Sequence, residues 1–73
     1  MKQKRHTMKI NGEKLKNMIH EWTSIRKFGP IIGYDEKTIR RGIKSGEISI
    51  GLAVAIAGFF GINIYTLKSL IGE

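Results

Sequence analysis

No cysteine occurs in this chain. That excludes disulfide bridges and thiolate metal sites, and it makes an intracellular, cytoplasmic setting the simpler expectation. Acidic residues are also scarce: six Asp and Glu stand against 13 Lys and Arg, leaving a net charge of +7 at neutral pH. A field of that sign draws polyanions, either nucleic acid or an anionic membrane face. Histidine is limited to His6 and His20, neither in a HExxH-like spacing nor spaced to serve a nucleophile, and the glycines of "GFFG" are not followed by Lys and Ser or Thr. Metal hydrolysis, nucleophilic catalysis and phosphate cradling need those patterns, so no enzyme, metal or cofactor is expected. A chain of 73 residues supports a single core at most.

The charge that is present is unevenly spread. Residues 2–44 hold twelve of the cations and four of the acids, a balance of +8, whereas 45–73 sum to −1. The N-terminal "MKQKRHT" is basic with no apolar run of signal-peptide length behind it, so residues 1–9 are expected to form a flexible basic arm ahead of a domain at 10–73. The stretch "ISIGLAVAIAGFFGINIY" passes 18 residues without a charge, close to the ~20 that cross a bilayer. A single-pass membrane peptide is therefore a rival reading. Against it, Ser49, Gly51, Gly58, Gly61 and Asn63 dilute the run and no cationic cluster closes its far end, so no membrane is expected.

From Asn11 onward the pattern is helical, with Leu15, Met18, Ile19 and Trp22 on one stripe. Cap residues then divide the chain: Asn11 opens a first helix, Ser24 a second over "IRKFGPII", Asp35 a third, Ser49 a fourth over "IGLAVAIAGFF" and Asn63 a fifth over "IYTLKSLI". Gly33, Ser45-Gly46, Gly61 and Gly72 end the last four of them. No alternating strand pattern is visible, and the expectation is an all-α, compact five-helix domain with Trp22, Phe28, Phe59 and Phe60 in or beside its core.

The third helix carries the chemistry. At about 100° per residue, Lys37, Arg40, Arg41 and Lys44 share roughly one third of the circumference, while Ile39 and Ile43 point elsewhere. Such a helix can be fixed to a core by one stripe and offer cations to a major groove by the other. The plainer alternative is a solvated face that keeps a small protein soluble. The preceding residues favour the groove. A helix-turn-helix needs a small residue in its first helix, an apolar residue three later, a glycine at the turn and an apolar anchor in its second helix; Gly29, Ile32, Gly33 and Ile39 come in that order.

With "SIRKFGPIIGYDEKTIRR" as the two-helix unit and "ISIGLAVAIAGFFGINIYTL" as a fourth helix, turn and fifth helix, the sequence resembles the lambda-repressor-like helix-turn-helix family, the Cro and repressor type of phages and mobile elements. The likeness runs from residue 10 to about 70. It implies a five-helix DNA-binding domain, often dimeric, whose third helix reads double-stranded operator DNA through Lys37, Thr38, Arg40, Arg41 and Lys44. Lys2, Lys4, Arg5, Lys9, Arg26, Lys27 and Lys44 would neutralise phosphates. A homodimer through Ile64, Leu67, Leu70 and Ile71 of the fifth helix would set two recognition helices ~34 Å apart.

Three features depart from that pattern. Pro30 falls at the sixth position of the second helix, where it removes a hydrogen bond and is expected to leave the helix short, kinked or tightened. Asp35 and Glu36 open the third helix; Asp35 reads as a cap, and Glu36 as a dipole partner or an acceptor for a cytosine amino group. Gly51, Ala55 and Gly58 leave the fourth helix a bare outer face where another surface can pack closely. Together these raise a second function, an antirepressor or modulator that seizes a partner repressor protein and blocks its DNA binding, with Asp35, Glu36 and the bare face as contacts.

Overall fold

In a computed structural model that describes residues 7–72, the chain runs β1 (Thr7–Lys9), α1 (Gly12–His20), α2 (Ile25–Ile32), α3 (Glu36–Ser45), β2 (Glu47–Ser49), α4 (Ile50–Phe60) and α5 (Ile64–Ile71). The helices start where the side chains can satisfy their exposed amides. Asn11 accepts from the Lys14 N–H at 3.2 Å, Ser24 from Lys27 at 3.2 Å, Ser49 from Leu52 at 3.1 Å and Asn63 from Thr66 at 2.8 Å. Each such cap contributes ~1 kcal/mol. Asp35 occupies the cap position of α3, but its side chain makes no capping hydrogen bond, so it helps α3 only through charge at the positive end of the helix.

α2, α3 and α4 stop at glycines in the left-handed region: Gly33 at φ 80°, Gly46 at 77° and Gly61 at 70°. A Cβ at Gly33 would have no heavy atom within 4 Å, so a substitution there is opposed by backbone conformation alone. Gly33→Ala is accordingly expected to lower stability by roughly 1–2 kcal/mol, read as a reduced urea midpoint with an unchanged slope. Pro30 lies inside α2, exposed. The helix accommodates it by being only eight residues long and by tightening its end, where the Gly33 N–H donates to the Pro30 carbonyl at 3.3 Å.

The core draws on every helix: Leu15 and Ile19 from α1, Phe28 from α2, Ile39 from α3, Leu52 and Ile56 from α4, Leu67 and Ile71 from α5, joined by Ile10. Trp22, expected in or beside this core, is instead 70% exposed. α1 ends at His20, and Trp22 lies in the turn that follows, beyond the last residue of the helix.

The chain is mainly helical rather than all-α. β1 and β2 pair antiparallel with Thr7 opposite Ser49, Met8 opposite Ile48 and Lys9 opposite Glu47, burying Met8 and Ile48. Residues 7–9 are thus a strand and not part of an arm. Lys2, Lys4, Arg5 and His6 lie outside the described residues. The long uncharged run is broken up: α4 and α5 meet at 96°, and no single described helix is long and apolar enough to cross a membrane.

Candidate nucleic-acid interface

Three glycines let α3 sit close to its supports. A Cβ on Gly29 of α2 would stand 2.5 Å from the Tyr34 carbonyl oxygen in the turn leading to α3. One on Gly42 would meet the Ile48 Cγ2 at 2.6 Å, and one on Gly12 at the start of α1 would collide with the Ile43 carbonyl. Gly29 was legible as the small residue of a two-helix unit. Gly42 was not singled out, although a glycine inside a helix is disfavoured by ~1 kcal/mol and is itself a signal that something packs there.

With Ile39 and Gly42 buried, the opposite side of α3 exposes Lys37, Thr38, Arg40, Arg41 and Lys44. The five residues therefore lie along one helix surface, as their spacing requires. They are not equivalent. The Arg40 Nε donates to the Glu36 Oε2 at 2.6 Å, one turn earlier on the same helix. No ion pair among the described residues engages Lys37, Arg41 or Lys44. Thr38 and Arg41 border a shallow groove that continues past Ser45, Glu47 and Ser49, where the Thr7 hydroxyl donates to the Glu47 Oε2 at 2.7 Å. Arg26 and Lys27 are exposed in the first turn of α2, and Lys9 is exposed on β1.

The candidate partner contacts fare unevenly. Leu67 and Ile71 are fully buried, which removes them from any dimer surface; they were spaced four apart because that stripe faces the core. Of the other α5 candidates, Leu70 is exposed and Ile64 half-buried. On α4, Gly51 and Gly58 are exposed and Ala55 half-buried, with Val54 54% exposed on the same side. Gly51 is partly covered by the chain itself, since a Cβ there would stand 3.1 Å from the Tyr34 hydroxyl. Gly58 faces open space. Asp35 is exposed, and Glu36, half-buried, is engaged by Arg40.

Among the described residues no group of three His, Asp or Glu side chains is placed to hold a metal ion. Comparison with family models, with curated protein sequences and with solved structures finds no match to this chain.

Proposed function

We propose that the chain is a small transcriptional regulator of the lambda-repressor-like type, in which α2 and α3 act as a helix-turn-helix and α3 reads operator DNA in the major groove. The observation that carries this reading is the two-sidedness of α3: Ile39 and Gly42 are buried while Lys37, Arg41 and Lys44 stand exposed and without a carboxylate partner among the described residues. A cationic helix held to a core by its other side has the width and the donors that a major groove accepts. Arg26 and Lys27 at the start of α2 are placed to meet phosphates, which fix register without reading sequence.

The experiment is a mobility shift with DNA from the protein's own genetic neighbourhood at low salt. Retarded DNA, lost when competitor of unrelated sequence is replaced by the cognate fragment, supports the proposal; no retardation at micromolar protein removes it.

A second reading, a modulator that binds a partner repressor, is favoured by one observation, the uncharged outer face of α4 with Gly58 open to solvent. Gly58→Ala is expected to stabilise the isolated chain by ~1 kcal/mol, because alanine suits a helix interior better and its methyl group meets nothing. If a repressor packs on this face, the same variant loses the ability to strip that repressor from DNA while its thermal midpoint rises. A midpoint that rises with full activity retained shows that the face is idle.

A further inference from the structure

Two glutamates border the cationic side of α3, and their charges are met differently. Glu36 has the Arg40 guanidinium 2.6 Å away. Glu47, exposed on β2, has only a neutral donor, the Thr7 hydroxyl at 2.7 Å, and no ion pair among the described residues engages it. Its partner in the strand register is Lys9, also exposed. Thr7, however, stands opposite Ser49, diagonally across from Glu47, so its hydroxyl draws the carboxylate along the ribbon and away from Lys9.

That direction leads to the groove of about 550 Å³ between α3 and the ribbon, which Thr38 and Arg41 border from α3, Glu47 and Ser49 from β2, and the buried Ile48 and Leu52 line from beneath. Lys9 is not part of its lining. The ribbon lies this close because Gly42 leaves room for the Ile48 side chain. One side of the groove therefore offers a guanidinium, the other a carboxylate, and no ion pair joins them. A carboxylate beside a surface that meets phosphates costs affinity for every sequence alike. The cost is offset only where a base presents a hydrogen-bond donor to it.

We propose, resting on the DNA reading above, that Arg41 and Glu47 read one G·C base pair between them, with guanine at Arg41 and cytosine at Glu47. In the major groove guanine shows the acceptors N7 and O6, and cytosine shows the N4 amino donor. A guanidinium facing the first and a carboxylate facing the second fix the pair and its orientation. The reversed pair sets donor against donor and acceptor against acceptor, and an A·T pair turns the O4 acceptor of thymine towards Glu47. Glu47 thus acts as much by penalising the wrong pairs as by holding the right one. Thr7 is a positioning residue, since its hydroxyl aims the carboxylate without touching DNA in this arrangement.

The test selects binding sites from random-sequence duplex DNA with the full-length chain, then exchanges each base pair of the selected site in turn and measures affinity by fluorescence anisotropy. Glu47→Val suits an exposed strand position and removes the acceptor. It should bind unrelated DNA more tightly at low salt and lose about tenfold of the preference for G·C at one position, the position that Arg41→Ala also relaxes. Thr7→Val keeps the charge, so it should lower that preference while affinity for unrelated DNA stays as it was. A site carrying a cytosine analogue without the N4 amino group should bind the parent about tenfold more weakly and Glu47→Val no differently, a result that needs only the parent to be folded. The proposal is overturned if Glu47→Val gains affinity equally for all sequences, if it relaxes a different position from Arg41→Ala, or if the parent ignores the missing amino group. A parent that selects no sequence at all overturns the DNA reading itself.

Discussion

Phe28→Ala is expected to lower the free energy of unfolding by about 3–5 kcal/mol, the usual effect of deleting a buried phenylalanine ring. Phe28 is fully buried in α2, and its ring stands 5.0 Å from that of Phe59 at 85° and 6.2 Å from that of Phe60. The edge-to-face pair with Phe59 contributes about 0.5–1.5 kcal/mol beyond area burial. A domain of this length has a total stability of roughly 4–11 kcal/mol, so the variant should sit near its unfolding threshold at room temperature. Phe59, at 37% exposure, offers a control. Its alanine variant removes a partly exposed ring that stands edge-to-face to both Phe28 and Phe60, and is expected to lose less than half as much because less of that ring is buried. Urea unfolding of both, followed by circular dichroism, decides it; equal losses would mean that the aromatic cluster is not centred on Phe28.

The parts of this fold legible in the sequence are those set by local chemistry. Asn11, Ser24, Ser49 and Asn63 marked helix starts because a side-chain acceptor three residues before an orphan amide acts within a single turn. Gly33, Gly46 and Gly61 marked helix ends because a left-handed residue is strained for any side chain. What failed was extension of a local pattern past its element. Trp22 continued the stripe of α1 by spacing, but the helix had already ended. β1 and β2 are three residues each, too short for an alternation to stand out, and they are fixed by pairing between segments forty residues apart. Leu67 and Ile71 illustrate a deeper ambiguity: a stripe of period four fits a partner seam as well as a core, and in a small domain the core claims it first. The cationic face of α3 was legible because Ile39 fixed which side is inward. The Glu36–Arg40 pair has the spacing of a helix ion pair, yet by sequence its carboxylate reads as a helix-dipole partner or a base contact, since sequence does not say which of several partners an acid takes.

That pair separates two arginines that spacing alone treats as alike, and the proposed DNA reading makes opposite forecasts for them. Arg41→Ala removes a cation with no carboxylate partner among the described residues. If it contacts a guanine edge, binding to the operator should weaken about 5–150-fold, the equivalent of 1–3 kcal/mol, with relaxed preference at one base position. Lys44→Ala should instead weaken all sequences alike and lower the salt slope by about 0.9, as expected for one lost phosphate contact. From about five neutralised phosphates the starting slope is near −4.5. Glu36→Gln works in the other direction. It releases the Arg40 guanidinium and removes a negative charge from a surface that meets a polyanion, so affinity should rise at low salt and the slope should steepen towards −5.4 if Arg40 then reaches a phosphate. Fluorescence anisotropy across a salt series measures all three. A Glu36→Gln protein that binds DNA more weakly than the parent would mean that the carboxylate is itself a reader of bases; an Arg41→Ala protein that binds as before would remove α3 from the interface.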